Sequence, residues 1–148
     1  MRTSRTRNKG FTLAEMMTAV GIMAVLTAMA TPSFVNSFQR SRENALKSDL
    51  AVVRSSVQMF FTDTGAFPNS LADLTVTTAP GTGRSRSGAS VNIDFRDWRG
   101  PYLATLPSDP ISGNAFTYYP SPSGAFRAGA VTSSMSGNDS SGVAFSTY

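Results

Sequence analysis

The residues best placed for chemistry lie at an abrupt change of composition near the N-terminus. Lys9, Gly10 and Phe11 separate a basic, polar segment from a long apolar run, and Glu15 is the single charged residue in positions 11–30. Gly10 has no side chain to obstruct an enzyme that approaches the backbone, so it suits a proteolytic cut before Phe11. Such a cut creates an amino group four residues ahead of the Glu15 carboxylate.

Glu15 itself is the second candidate functional residue. A carboxylate in apolar surroundings is costly unless it is paired, so a charged residue in a membrane segment is by default a functional hypothesis. We therefore expect Glu15 to pair with a cationic group. Desolvation offsets much of the attraction in such a pair, so its expected effect is on register more than on net stability.

The apolar run predicts a membrane anchor. Residues 11–30 would form a helix of about 30 Å at about 1.5 Å per residue, which matches the hydrocarbon thickness of a bilayer. Residues 1–10 are predicted to be a cytoplasmic leader, because basic flanks stay on that side of the membrane. The predicted division is a basic leader at 1–10 and a transmembrane helix at 11–32.

Two other interpretations of the N-terminus stay open. In the first, the segment is an ordinary secretory signal peptide with a small-residue cleavage site at 28–30, which would release a periplasmic or secreted binding module beginning at Thr31. In the second, it is an uncleaved anchor in which Glu15 is incidental. Glu15 lies inside the apolar region and the helical pattern continues beyond Ala30, and both observations disfavour the signal peptide.

The amino-acid inventory disfavours an enzyme and a nucleic-acid ligand. The chain has no histidine and no cysteine, which excludes a Ser-His-Asp triad, a disulfide framework and a thiolate metal site. Its net charge is +4, but four of its thirteen cations lie in residues 1–10. Cleavage leaves nine cations against nine anions, so no strong nucleic-acid binding is expected.

A second, amphipathic helix segment is predicted at 33–64. Its apolar positions step by four, three, four and three, and they are Leu46, Leu50, Val53, Val57 and Phe60. Gly65 is placed to end the helix in the left-handed conformation. Pro32 predicts a kink in a continuing helix, and the alternative is that it ends the anchor. Glu43 and Lys47 have the spacing of an ion pair.

Residues 65–148 are predicted to form a globular head. A turn followed by a short helix is expected at 66–74, with the helix capped at Asn69 or Ser70, and an irregular exposed loop is expected at 75–90. Strands are predicted at 91–95, 116–119, 126–131 and 143–145. The predicted fold class is α+β, with one long N-terminal helix packed on a small antiparallel sheet.

The N-terminal motif resembles the processing site of type IV prepilins and pseudopilins. The resemblance rests on Lys9-Gly10-Phe11, Thr12-Leu13 and Glu15, with Pro32 at the family's usual proline position. It implies cleavage between Gly10 and Phe11 by a prepilin peptidase, which also N-methylates Phe11. Residues 1–10 would then be a cleaved leader, and 11–32 would serve as both transmembrane and polymerisation helix. It further implies that Glu15 pairs with the Phe11 amine of a neighbouring subunit in a homo-oligomeric filament, and that an inner-membrane assembly platform is a partner.

The head shows a looser resemblance to the major pseudopilin of type II secretion. It rests on the segments 100–103, 106–110 and 116–119. The tail at 133–142 lacks the dense acidic calcium loop of many such proteins, which leaves Asp109 and Asp139 as weak calcium candidates, since Ca²⁺ takes six to eight oxygen ligands. The alternative is that Asp109 initiates the turn at Pro110.

Together these features predict a non-enzymatic structural subunit without a required cofactor. It would cross the bacterial inner membrane once, contact membrane lipid before assembly, and carry its head in the periplasm or outside the cell. The expected product is a type IV pilus or a related filament, and the alternative is the pseudopilus of a type II secretion system.

Overall fold

The longest element of the chain is a single helix near its N-terminus. The computed structural model describes residues 10–148, except for the side chains of 30–33. Helix α1 spans Leu13–Thr64, 52 residues, and the chain divides into two compact units, Met1–Phe38 and Gln39–Tyr148. Short antiparallel strands follow α1, so the predicted α+β class with a long N-terminal helix is confirmed.

Within the first unit, α1 exposes an almost continuous apolar surface. An 18-residue window of the helix has a mean hydropathy of 1.8 and contains no buried residue. The helix is therefore long and apolar enough to cross a membrane. The exposed large apolar side chains of this unit are Phe11, Leu13, Met16, Met17, Val20, Ile22, Met23, Val25, Leu26, Met29, Phe34, Val35 and Phe38.

Helix α1 continues through Pro32, so the alternative in which this residue ends the anchor is wrong. The predicted kink depends on a side chain that lies outside the described residues, and it stays a prediction. Most of the predicted leader, residues 1–9, also lies outside them.

Within the second unit, the predicted apolar stripe of α1 is confirmed as the centre of the core. Its five residues are between 0% and 3% exposed, since steps of three and four place them on one face of the helix. The helix ends at Thr64, where Gly65 takes a φ of +70° and its N–H donates to the Phe61 carbonyl at 2.9 Å. The predicted glycine cap is therefore also confirmed.

Phe60 gives a direct test of this core. We expect Phe60→Ala to lower the free energy of unfolding by about 3–5 kcal/mol, because the ring is fully buried and packs 5.4 Å from the Tyr102 ring. Met59→Ala is the matched control, since Met59 is 56% exposed. Chemical denaturation of the full chain in detergent measures both. Equal losses for the two variants would contradict this packing.

The short helix after α1 is a 3-10 helix at Leu71–Leu74. Ser70 precedes it, and its N–H and hydroxyl donate to the two Asp73 carboxylate oxygens at 3.0 and 3.3 Å. This confirms Ser70 as the capping residue. Asn69 has a different role, because its side-chain amide donates to the Thr82 carbonyl at 2.7 Å.

The head contains two separate antiparallel strand pairs. Strand β1 (Thr82–Arg84) pairs with β2 (Ser90–Asn92), and β3 (Thr117–Tyr119) pairs with β4 (Ala130–Thr132). The predicted small antiparallel sheet is thus divided into two ladders, and its strands are shorter than the sequence predicted.

Two predictions for the head are wrong. Strand β1 lies in the segment predicted to be an irregular loop, where it pairs with β2. Backbone groups of its Arg84 also exchange two hydrogen bonds with Phe67, at 2.7 and 2.8 Å. The strand predicted at 143–145 does not form, because Ala144 makes an isolated bridge with Asn138 and Phe145 begins a 3-10 helix at Phe145–Thr147. There the Val143 carbonyl accepts from the Asp139 N–H, so the segment folds back on its own loop.

Candidate functional site

Gly10 and Phe11 lie just ahead of α1, outside the helix. Both are exposed, and the Phe11 side chain is 79% exposed. A Cβ atom added at Gly10 would meet no heavy atom within 4 Å. Among the residues that the structure describes, none therefore blocks access to the peptide bond between Gly10 and Phe11.

Thr12 and Glu15 form a reciprocal cap at the start of α1. The Thr12 N–H and hydroxyl both donate to Glu15 Oε2, at 3.2 and 3.3 Å, and the Glu15 N–H donates to Thr12 Oγ1 at 3.2 Å. This is a capping box, which satisfies two backbone donors that a helix start leaves unpaired. This cap was not predicted from the sequence, although threonine followed three residues later by glutamate is its signature.

The cap leaves part of the Glu15 carboxylate available. Both Thr12 donors bind Oε2, while Oε1 accepts no hydrogen bond from residues 10–148. The side chain is exposed on a helix whose neighbouring residues are apolar. A carboxylate near a helix N-terminus is also favoured by the helix dipole. The arrangement holds a negative charge in a fixed position with one oxygen open to an external ammonium donor.

Asp109, the first calcium candidate, initiates a turn. It is fully buried, and its Oδ1 accepts the backbone N–H groups of Ile111 and Ser112 at 2.8 and 3.1 Å. Oδ2 accepts the Ser133 hydroxyl. Burial favours a higher pKa for Asp109, but the hydrogen bonds from Ser133, Ser112 and Ile111 outweigh it and hold the pKa below its ordinary value. The alternative prediction of a turn at Pro110 is confirmed.

A set of contacts that we call the C-terminal latch joins α1 to the end of the chain. Glu43 is 3% exposed and accepts the Ser140 N–H and hydroxyl at 2.9 and 2.6 Å. Lys47 Nζ lies 3.6 Å from Asp139 Oδ2 and 4.7 Å from the centre of the Tyr148 ring. The predicted ion pair between Glu43 and Lys47 is wrong, because each side chain binds the tail instead.

Asp139, the second calcium candidate, belongs to this latch. Oδ1 accepts the backbone N–H groups of Ser141 and Val143, both at 2.8 Å, and Oδ2 accepts the Tyr148 hydroxyl. The Tyr148 hydrogen bond, then those from Val143 and Ser141 and the charge of Lys47, lower the pKa of Asp139 to about 2.

Both candidate carboxylates thus have structural partners. Among the residues that the structure describes, no three or more Asp, Glu, His or Cys side chains lie together in a group that could hold a metal ion. Calcium binding at Asp109 and Asp139 stays a prediction.

Comparison with protein families agrees with both parts of this architecture. Residues 5–31 match the prokaryotic N-terminal methylation motif. Residues 33–142, more than half of the chain, match type II secretion system protein G. The chain belongs to the protein G family. The resemblance to type IV prepilins and pseudopilins that the N-terminal motif indicated is therefore confirmed.

Individual relatives of this protein G family member include secretion and pilus proteins. Type II secretion system core protein G of Pseudomonas aeruginosa is 28% identical over 115 residues, which cover 77% of this chain and 75% of the relative. Fimbrial protein Q of Moraxella bovis is 32% identical over 108 residues, covering 66% and 68%.

A third relative matches over a shorter stretch. The type IV major pilin protein PilA of Myxococcus xanthus is 38% identical over 65 residues, which are 43% of this chain and 30% of that protein. No solved structure matches the chain.

The latch of this protein G family member predicts a defined acid response. Because the pKa of Asp139 is lowered from 3.8 to about 2 on folding, its ionised form stabilises the folded state above pH 4, and that contribution is lost as the pH falls from about 4 to about 2. We expect Asp139→Asn to be less stable at pH 7 and to lose less stability over this pH range. Unfolding curves of both chains between pH 2 and 7 measure it, and identical pH profiles would contradict the assignment.

Proposed function

We propose that this chain is the structural subunit of a type IV pilus or a related filament. It is made as a precursor, cut between Gly10 and Phe11, and polymerised through the first half of α1. The observation that carries the proposal is the exposed Thr12–Glu15 cap at the start of an exposed apolar helix. It combines a membrane-compatible surface with one positioned negative charge.

The apolar surface supports polymerisation. Contiguous apolar patches of this size are rare on monomers and indicate membrane or protein contacts. The family membership and the helix together give a membrane-anchored subunit. In the proposal the anchor crosses the inner membrane once, with the head on the periplasmic or extracellular side. Packing many such helices together lets them leave the bilayer without exposing apolar residues to water.

Processing supplies the charge partner. In the proposal, a prepilin peptidase cuts before Phe11 and N-methylates the new amine. The open oxygen of Glu15 in one subunit then binds the Phe11 amine of its neighbour, and an assembly platform in the inner membrane adds subunits in turn. No step of this function requires catalysis by the chain itself.

The pseudopilus of a type II secretion system is the second candidate. The match to protein G over residues 33–142 favours it, whereas the pilin and fimbrial relatives favour a surface pilus. Both candidates use the same processing and the same helix packing, and they differ in where the filament ends.

Electron microscopy of sheared cell-surface material, with a labelled chain, tests the proposal. A type IV pilus predicts long filaments that contain the chain and disappear on deletion of its gene. A pseudopilus predicts loss of secreted proteins on deletion, with chain that crosslinks into periplasmic oligomers. A monomeric chain, with neither filaments nor oligomers in the cell, contradicts both.

A further inference from the structure

A cationic groove runs along one flank of α1 in the head. Two cavities of about 670 and 460 Å³ share Gln58, Phe67 and residues 125–128. Among all the residues that line them there is no aspartate or glutamate. We call this surface the arginine groove, and its defining residues are Arg54, Gln58, Phe67, Arg86, Phe126 and Arg127.

The three arginines differ in how far they are engaged. Arg54 donates twice to the Val131 carbonyl, at 3.1 and 2.6 Å. The Arg86 guanidinium lies 5.0 Å from the centre of the Phe61 ring. The Arg127 side chain is exposed, and its guanidinium makes no hydrogen bond or ion pair with any described residue. With Phe67 and Phe126 also in the lining, the groove fits an apolar group accompanied by negative charge.

The same head carries an exposed apolar side chain accompanied by negative charge, in the turn at residues 94–97. We call this turn the acidic knob. Phe95 is 72% exposed, the highest value for a large apolar side chain described in residues 39–148. Asp94 and Asp97 flank it, and neither forms an ion pair within the described chain. Arg96 lies over the Phe95 ring of the knob itself, at 5.6 Å.

The knob is held in a fixed shape. Asp94 Oδ1 accepts the Arg96 N–H at 2.9 Å, and the Asp97 N–H donates to the Asp94 carbonyl at 3.1 Å. Buried Ile93 anchors one side, and the Trp98 ring packs edge-on against Tyr102 on the other, 6.4 Å between centres. An exposed aromatic side chain on a preorganised turn loses little conformational entropy on binding.

The topology separates the knob from the groove within one chain. Arg86 lies in the connection between β1 and β2, whereas residues 94–97 follow the far end of β2. In an antiparallel pair these positions are at opposite ends. The knob and Arg86 of one copy therefore lie at opposite ends of the strand pair, and the exposed knob is available to another copy.

We propose that the acidic knob of one copy seats in the arginine groove of the next copy along the filament. Phe95 contacts the apolar lining, and Asp94 and Asp97 face Arg127 and Arg86. Because two different surfaces meet, the contact is head-to-tail and generates an open helical assembly. This contact rests on the proposed filament function. It fixes the position of each head relative to the next, in addition to the register that the N-terminal helices set.

A charge exchange tests the contact in cells that assemble the wild-type filament. We expect Arg127→Glu and Asp97→Lys each to lower filament yield by about tenfold, since like charges then face each other across the interface. The double variant restores most of the yield, which a merely structural role for either residue does not predict. A double variant whose filament yield is as low as that of either single variant, or lower, would overturn the contact.

Crosslinking provides an independent measurement, because the chain has no cysteine of its own. Arg96→Cys combined with Ala125→Cys keeps Phe95 and both aspartates, and a short bis-maleimide should join copies into ladders. Arg96→Cys with Ser136→Cys, an exposed residue outside the groove, is the control. Ladders equal to those of the control overturn the contact alone, whereas a wild-type chain that forms no filament overturns the proposed function as well.

Discussion

Replacing Glu15 with alanine is expected to lower the yield of assembled filament by about 100-fold or more. Removing one member of a charge pair in an apolar environment costs about 3–5 kcal/mol, and each 1.4 kcal/mol is about a factor of ten in an equilibrium. Membrane insertion and cleavage before Phe11 should continue, because the remaining apolar residues still span the bilayer. Sheared filament and membrane fractions, each probed for the chain, measure the two effects separately.

Two matched variants distinguish the charge of Glu15 from its role in the cap. Glu15→Gln keeps a side chain that can complete the capping box but removes the charge, so it should assemble as poorly as the alanine variant. Thr12→Val removes the capping hydroxyl and keeps the charge. Its cost should be that of a lost N-cap, about 0.5–2 kcal/mol, with a correspondingly smaller loss of filament. Normal filament yield from Glu15→Gln would contradict a charge-pairing role.

Replacing Gly10 with valine is expected to slow leader removal by about 100-fold, because a small displacement of the reacting bond from its productive position has an effect of that order. Folding should be unaffected, since an added Cβ at Gly10 meets no heavy atom within 4 Å. The precursor should therefore accumulate with residues 1–10 attached, and mass spectrometry of the membrane fraction detects it.

The control for this variant is Gly21→Val. Gly21 lies in the apolar part of α1, also with no heavy atom within 4 Å of an added Cβ, and it is distant in sequence from the cut. We expect its leader to be removed at the normal rate. Equal processing of the two glycine variants would show that Gly10 is not recognised at the cleavage site.

Features governed by local rules could be predicted from the sequence. The spacing of Leu46, Leu50 and Phe60 predicted the buried face of α1, because helical periodicity alone places them together. Gly65 and Ser70 were predicted as caps for the same reason, since capping depends on a few neighbouring residues.

Features that depend on distant residues were not predicted. Strand β1 contains Gly83, where an added Cβ would lie 2.7 Å from the Phe67 carbonyl oxygen, so the strand is defined by close backbone approach and has no apolar pattern to detect. The C-terminal latch joins Glu43 to Ser140, which are 97 residues apart. The spacing of Glu43 and Lys47 predicted a local pair, but the tail supplies both with partners.

The functional residues likewise include some that a local motif predicts and some that only the folded chain brings together. Gly10, Phe11 and Glu15 were predicted together from a contiguous motif, and the structure adds the Thr12 hydrogen bonds that fix the carboxylate. The arginine groove collects residues from α1, the β1–β2 connection and the β3–β4 connection. Such a surface exists only after the chain has folded, so neither charge counts nor periodicity indicate it.

In the proposed function, the cut before Phe11 converts a membrane precursor into a filament subunit. Intact-mass and N-terminal peptide mass spectrometry of the chain isolated from assembled filaments tests this conversion. We expect a mature chain that lacks residues 1–10 and begins at an N-methylated Phe11. A mature chain that begins at Thr31, or one that keeps residues 1–10, would contradict it.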